Sequence, residues 1–290
     1  MSPANVNYVV ITPVRDEEEH VEGTIQSVLG QTVRPKEWLI VNDGSTDGSG
    51  AILDKYAAQH DWITAVHVKD RGYRADGGGV HAFYEGFDRM QTKDWQFLAN
   101  LDSDMVLEPD YYERCFQKFE QEPRLGLGGG VIYNRREGGL ELEELPLFHV
   151  RGATKIYRRE CWDAMGGLYQ RNGWDTLDEV KCNMLGWTSR SFPDVHLIQE
   201  RFTGDGLGQW SNWVKNGRAS YVVGYHPLFF LAKTLAKVKS MPIGVASLGL
   251  LRGYLGALFS GTKTIEDTEL IRYLRDQQFR RLVGKPTMWR

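Results

Sequence analysis

The sequence is poor in cysteine. Cys115, Cys161 and Cys182 are the only three among 290 residues, an odd number with no Cys-x-x-Cys pair. That argues against a structural zinc site, and all three read as reduced thiols. A basic field is missing as well. Formal net charge is -3, which argues against a dedicated nucleic-acid binder. Met1 to Asn7 lacks a basic stretch followed by an apolar run, so no signal peptide is expected and the chain is expected in the cytoplasm. There is no internal repeat and no low-complexity tract. What is present is ordinary globular material, 41% hydrophobic and 25% charged. It suffices for one large domain or two modest ones.

Strand-like and helix-like segments alternate along the first half. Tyr8 to Thr12 and Trp38 to Val41 are continuous β-branched, aliphatic and aromatic runs that read as buried strands. Ile63 to Val68 and Trp95 to Leu101 read as two more. Asp16 to Gln31 reads as a helix with Val21, Ile25, Val28 and Leu29 inward, and Ser49 to His60 as a second. Gly126 to Tyr133 and Phe148 to Tyr157 read as further strands, Arg135 to Leu145 as an exposed acidic loop, and Arg159 to Met165 as a short helix. Gly173 to Gly186 contains a helix carrying Asp178 and Glu179. The alternation predicts an α/β fold with a mixed, mostly parallel, Rossmann-like sheet flanked by helices. Ligands of such sheets bind beyond the carboxyl ends of the strands. The polar loops at 12–17, 42–48 and 100–104 all follow strands and are expected to converge there.

Asp102-Ser103-Asp104 is the sharpest chemical signal. Two carboxylates one residue apart at a strand exit can face one hard cation, which in turn can bridge a diphosphate. Taken alone the pair also fits a solvated turn; its place after a buried strand favours the cation. Asp43, at the end of the second strand, is either a turn or cap residue or an acceptor for a base or ribose, and chemistry alone leaves both open. Ala75-Asp76-Gly77-Gly78-Gly79 lets a backbone approach a ligand, but it lacks the Lys-Ser/Thr of a P-loop.

Ile11-Thr12-Pro13-Val14-Arg15-Asp16-Glu17-Glu18, Val41-Asn42-Asp43-Gly44-Ser45-Thr46-Asp47 and Leu101-Asp102-Ser103-Asp104, in this order and spacing, resemble a family-2 inverting glycosyltransferase of the GT-A fold. The resemblance runs from about Tyr8 to Tyr225. It departs from the family at Arg15-Asp16, where Tyr-Asn or a similar pair is usual. It implies that Thr12, Pro13, Arg15 and Glu17 border the nucleotide and that Asp43 contacts the uracil or ribose. Asp102 is implied near the ribose or sugar. Together with Asp104 it would ligate Mn²⁺ or Mg²⁺. Arg71 and Arg74 would face the phosphates or base. The donor implied is a nucleotide sugar, UDP-linked by preference, and the acceptor a glycan or lipid-linked hydroxyl. Cell-surface glycan or polysaccharide synthesis is the implied setting.

Gly173-Trp174-Asp175-Thr176-Leu177-Asp178-Glu179 is the acceptor-side candidate. The family carries a carboxylate pair at a helix start there, one member being the base. Its usual order makes the second residue the base. Here Asp178 is preferred, because its short side chain lies nearer the Trp174 loop and holds a fixed geometry. Trp174 is either a sugar platform or core. His149, His196 and His226 read as structural. Gln199-Glu200-Arg201-Phe202 only faintly resembles the Gln-x-x-Arg-Trp signature of processive synthases, which favours single-sugar transfer. Two rivals stand beside this reading: a non-catalytic nucleotide-sugar-binding module and a sugar-phosphate nucleotidylyltransferase. The second lacks its Arg-containing glycine loop after the first strand.

Two domains are expected, 1–226 for nucleotide-sugar binding and catalysis and 227–290 as a helical C-terminal extension. Pro227 to Lys239 is basic and amphipathic. Met241 to Ser260 is apolar but holds Arg252, costing about 2.5–3.5 kcal/mol at mid-bilayer. Pro242, Gly244, Gly249, Gly253 and Gly256 interrupt it further. The extension is therefore expected to pack on the catalytic domain or lie peripherally on the inner face of the plasma membrane, not to span it.

Overall fold

Two apolar runs build the centre of the sheet. β1 (Tyr8–Val14) and β2 (Glu37–Asn42) are buried nearly throughout, the pattern of parallel strands covered by helices on both faces. The computed structural model describes residues 6–70, 72, 77–201, 208–239 and 242–289. β3 (Ile63–His67), β2, β1 and β4 (Phe97–Asn100) lie side by side and parallel. β8 (Ile156–Arg158) runs against β4, and β6 (Leu125–Arg136) against β8. β9 (Thr188–Gln199) is parallel to β6, β5 (Met105–Leu107) caps the far edge, and β7 (Gly139–Leu142) folds back on β6.

Side chains of a strand alternate between faces, and the two cores follow that period. Tyr8, Val10, Val14, Trp38 and Ile40 enter a core with α1 (Val21–Leu29), α2 (Ser49–Ala57) and α4 (Tyr111–Gln121). Val9, Ile11, Leu39 and Val41 enter the opposite core with α3 (Gly78–Phe87) and α5 (Arg159–Met165). All three cysteines are free and buried, Cys115 in the first core and Cys161 beside Cys182 in the second.

The helical C-terminal region comprises α7 (Gly208–Val222), α8 (Pro227–Ala236), α9 (Val245–Phe259) and α10 (Thr268–Leu282). Leu270 and Leu274 of α10 and Val222 of α7 share a third core with Leu177 and Val180 of α6 (Trp174–Met184). Lys181 of α6 pairs with Asp267, and the Tyr169 hydroxyl donates to Asp267 at 2.6 Å. The expected division at 226/227 therefore falls within shared packing. α7 and α9 meet along a glycine seam: a Cβ on Gly217 would strike the Leu250 carbonyl, and one on Gly253 the Val214 carbonyl. Gly253→Ala is expected to cost about 1–3 kcal/mol by overpacking. Urea unfolding measures it, and a wild-type midpoint would remove the seam's role.

Three local expectations need correction. The first helix starts at Val21, not Asp16, because Asp16 has a φ of 53° and its carboxylate caps the neighbouring loop instead. Phe148 to Tyr157 is a turn and a short 3-10 segment (Gly152–Thr154) leading into the three-residue β8. The 135–145 loop is the end of β6 plus β7, exposed as expected but hydrogen-bonded as a hairpin.

Candidate active site

Because β1, β2 and β4 are parallel and adjacent, their carboxyl ends deliver three polar loops to one place. The Asp16 carboxylate accepts from the Thr46 N–H at 2.7 Å, and the Glu18 carboxylate from the Gly48 N–H at 2.7 Å. The Ser49 hydroxyl accepts from the Glu17 N–H at 2.9 Å. Asp16 holds its positive φ through this exchange, a strain of the kind kept where surroundings over-determine it. Arg15 clamps two loops, donating to the Asp43 carbonyl and to the Asp70 carboxylate at 3.0 Å each. Asp43 is buried at the β2 exit, its N–H donating to the Val14 carbonyl. Gly44 follows with a φ of 76°, and a Cβ there would collide with Asp70.

Glu17, Asp102 and Asp104 crowd the exit of β4. The Gln199 amide donates to Asp104 Oδ2 at 2.9 Å, and Arg201 pairs with Glu17 while its Nε lies 4.0 Å from the same Asp104 oxygen. Glu17 Oε2 is buried without a hydrogen-bond partner. Desolvation, then the Asp104 charge, lifts Asp102 to about 6. Desolvation lifts Glu17 to about 7, Arg201 opposing and Asp104, Asp102 and Asp47 assisting. Arg201, and Arg151 at Asp102, offset this crowding of acids only in part.

A carboxyl whose folded pKa is raised binds its proton more tightly folded than unfolded. Its contribution favours the fold at low pH and is lost as pH rises from about 4.5 to about 7. The Tm of wild type minus that of Glu17→Gln, taken without divalent cations, is therefore expected to fall across this window. A difference flat with pH would contradict the assignment.

α6 carries the other acidic candidates, Asp178 and Glu179, both buried. Asp178 is fully internal: Lys155 Nζ donates to both its oxygens at 2.7 and 2.9 Å, and the Tyr157 hydroxyl at 2.6 Å. Lys155 is itself without exposure. Burial works against its charge, but Asp178, Glu179 and Asp175 outweigh that and raise its pKa. Glu179 is held differently, accepting from the Val150 N–H at 2.7 Å and facing His149 Nδ1 at 3.0 Å. The His149 side chain is 22% exposed and that of Glu179 3%. Burial lowers the His149 pKa, yet the charge and hydrogen bond of Glu179 leave it raised. The Asp178 carboxylate is thus enclosed in a buried ion pair, whereas Glu179, 3.4 Å from Lys155 on one oxygen, faces the partly exposed His149 with the other.

Other expected residues separate by face. The hydroxyl of Thr12 accepts from the Trp38 indole at 2.9 Å inside the first core, so its side chain turns away from the cleft. Pro13, one residue on, faces the other side and is half-buried. Trp174 is half-buried, packed against the second core beside Gly152 and near Lys155. Arg71 and Arg74 lie outside the described residues. Sequence reasoning passed over Gln199 and Arg201, whose signal was the faint Gln-Glu-Arg-Phe run, and Lys155, which lies between the 3-10 segment and β8. Beside Arg201 opens a cavity of about 610 Å³ lined by His20, Arg135, Arg136 and Glu200 among others.

The sequence profile of glycosyl transferase family 2 matches residues 9–169, just over half of the chain and ending before Asp178. The chain is 28% identical over 152 residues to the glycosyltransferase GlyA of Streptococcus pneumoniae serotype 4, covering 51% of this chain and 20% of that protein. It is 29% identical over 134 residues to a chondroitin synthase of Escherichia coli, covering 45% and 18%. The chain thus spans about a fifth of these relatives. Among solved structures, the mannosyltransferase PcManGT of Pyrobaculum calidifontis, in complex with GDP-Man and Mn²⁺, aligns with a TM-score of 0.58 at 18% identity, covering 98% and 90%. Residues 1–349 of S. aureus TarS with UDP-GlcNAc align at 0.56 and 14%, covering 88% and 73%. These likenesses establish a shared fold.

Proposed function

The chain belongs to glycosyl transferase family 2, and from that premise we propose that it moves a sugar from a nucleotide-sugar donor, UDP-linked, to an acceptor hydroxyl with inversion at the anomeric carbon. The acceptor is a glycan or lipid-linked glycan in polysaccharide or cell-surface glycan synthesis, and the setting is the cytoplasmic face of a membrane. The observation that carries this reading is the convergence of Glu17, Asp43, Asp102 and Asp104 at adjacent strand exits, with the Glu179–His149 pair on α6 as the acceptor-side counterpart.

The donor set fits a hard divalent cation. Asp102 and Asp104 offer carboxylate oxygens, and the unpartnered Oε2 of Glu17 marks charge awaiting neutralisation. Among the described residues no group of three or more His, Cys, Asp or Glu is placed to hold a metal; Asp102 and Asp104 would be this chain's ligands to it. When bound, Mn²⁺ or Mg²⁺ supplies neutralisation of the departing diphosphate. Asp43 receives the base or ribose, and Arg15 fixes the loop that carries it. Gln199 and Arg201 hold Asp104 in place.

Across the cleft, the acceptor hydroxyl gives its proton to the Glu179–His149 pair. With Nδ1 turned to Glu179, Nε2 is the ring nitrogen left to accept it. The oxygen then attacks opposite the leaving diphosphate in one displacement. A thermal-shift panel of UDP-, GDP- and dTDP-sugars with and without Mn²⁺ tests the donor assignment. A stabilisation by UDP-sugars that needs Mn²⁺ is expected, and no response to any nucleotide sugar would overturn it.

A further inference from the structure

Charge is segregated in this chain. Between Asp205 and Glu266 there is no acidic residue, yet seven lysines and arginines fall there. Against a whole-chain net charge of -3, that stretch carries +7 and everything else -10. The same stretch holds the densest run of exposed apolar side chains. On α8, Leu228, Leu231 and Leu235 sit at i, i+3 and i+7, on one stripe, 59%, 49% and 63% exposed. The opposite stripe is spent on α9: Phe230 stacks on Tyr254, and the Ser247 hydroxyl donates to the Thr234 carbonyl.

α9 repeats the arrangement. Its Gly249, Gly253 and Ala257 face is buried, with Gly249 and Gly253 closed against α7. Leu248, Arg252, Leu255 and Phe259, at i, i+4, i+7 and i+11, are exposed, Phe259 at 81%. Ile243, between the two helices, is 72% exposed, and Lys237 and Lys239 stand exposed beside it. Fifteen residues make α9 about 22 Å long, short of the ~30 Å hydrocarbon core. No described helix is long and apolar enough to cross a membrane.

Apolar stripes ringed by cations, with no anion among them, match the surface of an anionic bilayer: leucines and phenylalanine enter the acyl boundary while ammonium and guanidinium groups meet headgroup phosphates. A second copy of the chain fits less well, because a two-fold contact would press this positive surface against itself. We propose that the outer faces of α8 and α9 dock the protein in the plane of an anionic leaflet. This gives the general expectation of membrane contact a defined surface, and it stands whether or not the transfer reaction is assigned correctly. α7 and α10 share a core with α6, so the docked face is rigidly joined to the helix that carries Glu179, which suits a lipid-linked acceptor.

The test is vesicle flotation of the full chain, using phosphatidylcholine alone and phosphatidylcholine with 30% phosphatidylglycerol (on the order of the anionic content of a plasma-membrane leaflet). The wild type is expected to float with the anionic vesicles only, and to be released by high salt. At about fivefold per basic residue at the surface, Lys237→Glu/Lys239→Glu is expected to weaken partitioning at least about 25-fold. Leu231→Ser/Leu235→Ser is expected to weaken it comparably. Both pairs are solvent-exposed, and an unchanged Tm establishes folding. Three results would each overturn the proposal: no flotation of the wild type, flotation independent of phosphatidylglycerol, or either folded double variant floating like wild type. A concentration-dependent dimer in sedimentation, abolished by Leu231→Ser/Leu235→Ser, would assign the face to a second copy.

Discussion

Glu179→Gln is expected to lower kcat by up to about 10²–10⁴-fold, the usual contribution of a positioned base, because His149 loses the carboxylate that orients it as the proton acceptor, while the donor Kd stays close to wild type. The carboxylate faces His149 Nδ1 and does not belong to the strand exits where the nucleotide is proposed to bind. Asp178→Asn is expected to behave differently. It removes the nearer of the two carboxylates beside the buried Lys155, leaving Glu179 Oε1 at 3.4 Å and the Asp175 carbonyl at 2.6 Å, and breaking a buried pair from one side costs up to about 3–5 kcal/mol. Stability should therefore fall first, read as a lowered urea midpoint, with Lys155→Met/Asp178→Leu recovering part of the loss. Steady-state kinetics and unfolding of the two single variants separate the roles. A stable, inactive Asp178→Asn beside an active Glu179→Gln would return the base to Asp178.

Asp104→Asn is expected to reduce turnover by about 10³-fold, equivalent to about 4 kcal/mol of barrier, and to remove the divalent dependence of diphosphate binding. Asparagine keeps an oxygen for Gln199 to address but loses the charge that a hard cation requires. Titrating UDP into wild type and variant by calorimetry, with and without Mn²⁺, reads the effect. Equal metal dependence in the two proteins would remove Asp104 from the metal site.

The convergence of the three loops was legible because it needs only two facts: each loop follows a buried strand, and adjacent parallel strands end on one side. The acids of the cleft were legible for the same reason. What escaped was set by distant contacts. Thr12 looked like a cleft residue, but strand alternation turns it to Trp38, and only the tertiary pairing shows which face is which. β9 was missed, since a polar edge-side strand such as Thr188–Gln199 lacks a long apolar run. Gln199 and Arg201 come to Asp104 only through that strand. The choice between Asp178 and Glu179 was undecidable by helical period, since both flank the apolar stripe of Leu177, Val180 and Met184. It turns on Lys155 and His149, which lie 23 and 30 residues away in sequence.

The central claim is tested most directly by incubating the purified chain with single UDP-sugars and Mn²⁺ and measuring the nucleotide released. The account predicts UDP release from at least one donor, accelerated by an acceptor glycan and lost in Asp104→Asn. Tight donor binding without any UDP release, or conversion of the donor to UTP when pyrophosphate is supplied, would contradict it.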